Sequence, residues 1–149
     1  MDSFETSLNQ ILVSTFNNIL KFEELSLKNL SGAGVTVSEA HMLEATREAG
    51  ESVTVSEIAS SLGVAVPTAT VALQKLERKG LIVKTSCKAD GRRALISLTR
   101  DGKRIDRAHG IFHQKMVKDL ARGFDPSEKE MLLHAINKLN EFFVKRVEA

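Results

Sequence analysis

Between residues 3 and 30 the apolar positions Phe4, Leu8, Ile11, Leu12, Ile19, Phe22 and Leu25 recur at three- and four-residue steps. That spacing predicts one long amphipathic helix. Phe16, Leu20 and Leu27 add apolar side chains on a second side, so the helix is expected to meet more than one neighbour. Ser31-Gly32-Ala33-Gly34 ends it with glycines that tolerate a left-handed turn.

Thr36-Val37-Ser38-Glu39 opens a helix to about Glu48, because Thr36 can cap the backbone while Glu39 reaches back. Thr54-Val55-Ser56-Glu57 repeats the signal for a short helix to Leu62. Gly63 then separates it from a helix with Pro67 in its first turn, running to Lys79 and closed by Gly80. Residues 81–85 and 94–98 read as strands, and the polar connection around Asp90-Gly91 makes them a hairpin. Thr99 caps a helix to about Arg122, whose apolar side carries Ile105, Ala108, Ile111, Phe112 and Leu120. Asp125-Pro126-Ser127-Glu128 starts the last helix, with Leu132, Ile136, Leu139, Phe143 and Val147 as its stripe. The expected fold is mainly α with a small β-hairpin wing: a winged helix-turn-helix with six helices.

The short helix, the turn at Gly63 and the following helix form the helix-turn-helix itself. The second of these helices buries Ala69, Ala72, Leu73 and Leu76, so Pro67, Thr68, Thr70, Val71, Gln74, Lys75 and Arg78 face outward. Val71 lies about 200° around the helix from Ala69, an unfavourable place for an apolar residue unless it meets something such as a thymine methyl. Gln74 has the donor and acceptor to pair with an adenine edge. Lys88, Arg92 and Arg93 at the hairpin tip suit the narrow, strongly negative minor groove of A·T-rich DNA. Asp90 stands close enough in sequence to hold one of those arginines. Taken alone, an outward valine or a basic hairpin tip can also be ordinary solvated surface.

Composition sharpens this picture once it is divided along the chain. The 149 residues carry a net charge of only +2, which by itself argues against a nucleic-acid partner. Residues 1–74 hold a net −6, residues 75–104 a net +7 and residues 105–149 a net +1. The central block has the charge a phosphate-contacting surface needs. The seven Phe avoid residues 23–111, and there is no Trp or Tyr, so the basic block has no ring on which to stack unpaired bases. Duplex DNA is favoured over single strands and RNA. A single cysteine, Cys87, forms no internal disulfide, and no apolar run exceeds three residues. With an acidic start unlike a signal peptide, a cytoplasmic protein without a membrane segment is expected. No glycine-rich phosphate loop, G-x-S-x-G elbow or H-E-x-x-H occurs, so no catalytic residues are assigned and an enzyme is not expected.

Leu76-Glu77-Arg78-Lys79-Gly80-Leu81-Ile82 and the run from Asp90 to Gly102, an Asp-x-Arg followed by Leu-Thr-x-x-Gly, resemble the MarR family of winged-helix transcription regulators. The resemblance implies a homodimer reading a pseudo-palindrome. Residues 1–34 and 100–149 would form its helical dimerisation region and residues 35–99 its DNA-binding region, with Asp90 and Arg92 as the wing pair. Glu23-Glu24-Leu25-Ser26-Leu27-Lys28, Glu39-Ala40-His41-Met42-Leu43-Glu44, Phe112-His113 and Met116-Val117 look like the FabT group of fatty-acid-synthesis repressors. That likeness implies acyl-acyl carrier protein as corepressor. It also implies an apolar effector pocket, which Phe16, Ile19, Phe22, Met42, Ile111, Phe112 and Met116 could line, although each could equally be plain core.

A competing effector reading comes from the histidines. His109 and His113 are one helical turn apart, and His41 with Glu23 or Glu24 would complete a nitrogen-and-oxygen set suited to zinc. The same positions resemble a zinc-responsive branch of the family, though residues 25–35 lack the cysteine that branch uses at a second site. Histidines hydrogen-bonded inside a core are the third possibility. No cofactor is required by any of these readings, and Cys87 has no second thiol with which to act as an oxidation sensor.

Overall fold

The structure is a computed structural model that describes residues 1–30, 34–86 and 94–149. Six helices and one hairpin follow in the expected order: α1 (Ser3–Lys28), α2 (Val37–Ala49), α3 (Val55–Leu62), α4 (Val66–Arg78), β1 (Ile82–Ser86), β2 (Ala94–Leu98), α5 (Arg100–Ala121) and α6 (Pro126–Val147). The chain divides into two compact units, residues 1–110 and residues 111–149. No single helix among the described residues is long and apolar enough to cross a membrane.

Local capping accounts for where most helices begin. Thr36 and Glu39 form the reciprocal box at α2, Thr54 and Glu57 repeat it at α3, and Asp125 with Glu128 does so at α6. Asp2 and Glu5 make a fourth box at α1, from an Asp-x-x-Glu pattern that the hydrophobic periodicity did not bring out. At α6 the backbone N–H of Glu128 and then the hydroxyl of Ser127 hold the Asp125 carboxyl below its ordinary range. The cap is therefore intact above the unfolded aspartate value and is lost as pH falls through the lowered one. α1 and α4 end slightly earlier than their apolar patterns suggest, and α4 starts one residue before Pro67.

The core lies in the first unit. Met42, Leu43, Ile58, Leu73, Leu76, Leu81, Ile96 and Ile105 bring α2, α3, α4, the hairpin and the start of α5 together. β1 and β2 pair antiparallel with Lys84 opposite Ile96 and Ser86 opposite Ala94. Val53, in the α2–α3 connection, adds a bridge to Ile96 through two backbone hydrogen bonds of 3.1 and 2.6 Å. This ties the hairpin to the helix-turn-helix and fixes where the wing leaves the core.

Polar ties reinforce the packing. Lys79, at the end of α4, donates to both carboxylate oxygens of buried Glu39 at 2.9 and 2.7 Å and to the Gly34 carbonyl at 2.9 Å. Arg47 of α2 pairs with buried Asp106 of α5. Removing the cation from Glu39 would leave a buried carboxylate to be compensated by the Thr36 amide alone. Because Lys79 itself is one-third exposed, the penalty is discounted from that of a fully buried pair. Lys79→Met is expected to lower unfolding stability by about 1–2 kcal/mol. An unchanged urea midpoint would show that water replaces the ammonium at no cost.

Candidate nucleic-acid interface

α4 is positioned from the turn outward. Gly63 takes a left-handed conformation with φ of 66°, and the N–H groups of Gly63 and Val64 return to the carbonyls of Ser60 and Ala59. α3 and α4 therefore meet at a 110° bend, within the range of helix-turn-helix units. Ala69, Leu73 and Leu76 are fully buried, as their spacing predicts, whereas Ala72 is only partly buried.

The opposite face of α4 is open. Pro67, Thr68, Val71, Gln74, Lys75 and Arg78 are all exposed, and Val71 is 53% accessible. Thr70 differs from them: it is half-buried, and its hydroxyl donates to the Val66 carbonyl at 2.9 Å. Ala65, the residue before α4, offers no side-chain cap. The first amides of α4 thus lack a side-chain cap, and the helix start carries a partial positive charge. Exposed donors, a valine and two cations on one helix face match what a major-groove reader presents. Lys88, Asp90, Arg92 and Arg93 lie outside the described residues, as does Cys87. β1 and β2 lead into that segment from the core side.

Within the first unit the predicted histidine cluster resolves partly. Glu23 is buried, and its Oε1 lies 2.9 Å from Nε2 of His109 and 3.2 Å from Nε2 of His41. Of the two carboxylates left open by the sequence, Glu23 turns inward while Glu24 is exposed, so Glu24 is not part of the cluster. The ligand atoms of Glu23, His41 and His109 lie within 4.8 Å of one another. His113 follows one turn along α5, in the second unit, with its ring edge-on to Phe112 at 5.5 Å.

The predicted effector residues are distributed unevenly. Phe16, Ile19 and Phe22 stand exposed on α1, while Met42 is buried in the core of the same unit. Ile111, Phe112 and Met116 belong to the second unit, with Phe112 and Met116 partly buried.

The MarR family description matches residues 33–93, the segment containing the helix-turn-helix and the hairpin. An uncharacterized HTH-type transcriptional regulator of Bacillus subtilis, YxaD, is 28% identical over 90 residues. That stretch covers 60% of this chain and 63% of the relative, so less than two thirds of the relative's length is matched. Streptococcus pneumoniae FabT, solved in complex with DNA, superposes with a TM-score of 0.88 at 30% identity, covering 95% of this chain and 98% of that one. A MarR variant of Escherichia coli complexed with operator DNA shares the fold at a TM-score of 0.72 and 22% identity, covering 93% and 99%. With the outer face of α4 exposed, the hairpin anchored beside it and the FabT likeness running through nearly the whole chain, the protein belongs to the MarR family of winged helix-turn-helix DNA-binding transcription regulators.

Proposed function

We propose that the chain is a cytoplasmic repressor of fatty-acid-synthesis genes that binds a pseudo-palindromic operator as a homodimer, with acyl-acyl carrier protein as corepressor. The observation that carries this reading is a likeness, extending over nearly the whole chain, to a FabT protein solved on DNA. The exposed apolar residues support a dimer. Phe4, Ile11, Phe16 and Ile19 of α1 are open to solvent, and α6 buries no residue while exposing Ile136, Phe142 and Phe143. Apolar area of this extent asks for a partner surface.

The test is a mobility-shift titration on duplex operator candidates from the gene's own upstream region, with and without long-chain acyl-acyl carrier protein. Tenfold or greater tightening in its presence, on the order of 1.4 kcal/mol of coupling, is the expected result. Duplex binding that ignores the acyl protein would remove the corepressor assignment and leave the DNA reading in place. Within that assay, Gln74→Ala is expected to relax base preference at one position in each half-site at a cost of about 1–3 kcal/mol. Uniform weakening on every sequence would instead place Gln74 on the phosphate backbone.

A second reading, zinc as the effector, is favoured by one observation: two imidazoles converge on one buried carboxylate oxygen. Glu23, His41 and His109 offer the nitrogen and oxygen donors that zinc accepts, and His113 is the next donor along α5. Bound zinc would cross-link the donors and neutralise Glu23. Equilibrium dialysis against zinc separates the readings, since Glu23→Gln would abolish uptake at a metal site.

A further inference from the structure

The outer side of α5 carries a basic face outside the helix-turn-helix. Ile111 is 58% accessible, and Lys115 and Lys118 are exposed beside it. At 3.6 residues per turn they stand only about 40° and 20° around the helix from Ile111. Arg107, also exposed, precedes Ile111 by one turn on the same face, and exposed Arg122 follows directly after the helix. Between residues 107 and 122 the single carboxylate is Asp119, which accepts from Arg122 at 3.1 Å. Arg107, Lys115 and Lys118 make no ion pair with any described residue. The C-terminal end of a helix favours cations, which accounts for Lys118 but not for Arg107 or Lys115. Val117 and Leu120 are exposed too, but they stand about 120° and 180° away from Ile111. α5 therefore has two distinct outer faces, one apolar and one an isoleucine set among cations.

The second face suits few occupants. A second copy meeting it across a two-fold axis would set these cations against their own counterparts. Duplex DNA would satisfy the cations but press phosphate oxygens onto an isoleucine. A membrane surface needs more than one apolar residue on the inserted face. A carboxylate-rich protein surface satisfies both features, with Ile111 as an apolar anchor inside a charged rim. From this pattern we infer that the Ile111 face of α5 docks an acidic protein surface, and that its occupant is the carrier-protein part of the acyl-acyl carrier protein corepressor. The identity of the occupant rests on the function proposed above. Phe112 and Met116, partly buried on the adjoining side of α5, are effector-pocket candidates, so a carrier seated on Ile111 would bring its acyl chain beside them.

The experiment titrates the full-length protein with fluorescently labelled palmitoyl-acyl carrier protein and, separately, with palmitoyl-pantetheine, which bears the chain without the protein. Lys115→Glu combined with Lys118→Glu is expected to weaken the carrier-protein complex roughly tenfold or more and pantetheine binding by less than about twofold. Lys115→Arg combined with Lys118→Arg keeps both charges and should bind like the wild type. Wild-type affinity for the carrier protein should also fall with rising salt. Duplex affinity of the charge-reversed protein, measured without any acyl compound, should match the wild type. Unchanged carrier-protein affinity in that variant would overturn the docking face. Equal losses toward both acyl probes would place the two lysines at the chain pocket, and weakened duplex binding would give the face to DNA; either result overturns the inference. A wild type that does not bind the carrier protein removes the corepressor assignment and its docking face together. A wild type that binds it, beside a charge-reversed variant that binds equally well, removes the face alone.

Discussion

Gly102→Ala is expected to destabilise the protein by about 2–3 kcal/mol, the reverse of what a helical glycine normally predicts. In most helix interiors alanine is the better residue by about 1 kcal/mol, because glycine loses more backbone freedom on folding. Gly102 is buried in the first turn of α5, where a Cβ would overlap the Leu81 carbonyl oxygen and lie 3.0 Å from its carbon. That carbonyl cannot retreat easily, since it accepts from the Thr99 amide at 3.1 Å. Thr99 is itself held at both ends, accepting from the Gly102 amide at 3.1 Å and donating to the Gly80 carbonyl at 2.7 Å. The end of α4, the start of β1 and the first turn of α5 are therefore one joint. Gly110, further along α5, has nothing within 4 Å of the corresponding position and serves as the internal comparison. Gly110→Ala should raise stability by roughly 0.5–1 kcal/mol in the same urea titration. If both substitutions move the midpoint in the same direction, the close approach at Leu81 is not a determinant of the fold.

That joint shows how far residue patterns reach. The Leu-Thr-x-x-Gly run could be recognised as a family signature, but its physical reason is a contact with a backbone carbonyl earlier in the chain, and no local pattern contains that contact. Three of the four capping boxes were legible because both partners lie within four residues; the Asp2–Glu5 box was missed although its spacing is the same. Helix faces were legible because Ala69, Leu73 and Leu76 repeat at the helical period. The bridge from Val53 to Ile96 was not, since one residue pairing in isolation has no periodicity. The tie between Lys79 and Glu39 likewise joins two helix ends that only tertiary packing brings together.

The sites divide the same way. Glu23 and Glu24 are adjacent on a helix, about 100° apart, and the sequence could not choose between them. The choice is made by His41 and His109, which arrive from α2 and α5 and meet Glu23, whereas Glu24 is exposed. Outward placement of Val71 and Gln74 followed directly from the buried stripe beneath them. Thr70 shows the limit of that argument: an angular position near the outer face does not reveal that its hydroxyl has turned back to Val66.

Duplex affinity is expected to fall by about 10³–10⁵ between 50 and 200 mM salt, the largest effect anticipated for this protein. The argument begins with distribution. The whole chain carries +2, yet residues 75–104 carry +7, and a polyanion responds to the local charge when the remainder lies beyond a Debye length. Lys75 and Arg78 are exposed on α4, and Lys88, Arg92 and Arg93 follow in the hairpin connection. Paired across a two-fold operator complex, these positions would supply about 6–10 phosphate contacts, each releasing condensed counterions. The logarithm of affinity should then decline linearly with the logarithm of salt concentration, with a slope of roughly −0.9 per contact. Arg92→Ala tests the hairpin's share. It should weaken binding by about 1–3 kcal/mol and, if Arg92 neutralises a phosphate, make the slope shallower by about one contact per protomer. A slope unchanged by Arg92→Ala with affinity still lost would place the guanidinium on minor-groove base edges. Weak salt dependence in the wild type, or equal affinity for single strands, would mean that the basic block does not face a duplex at all.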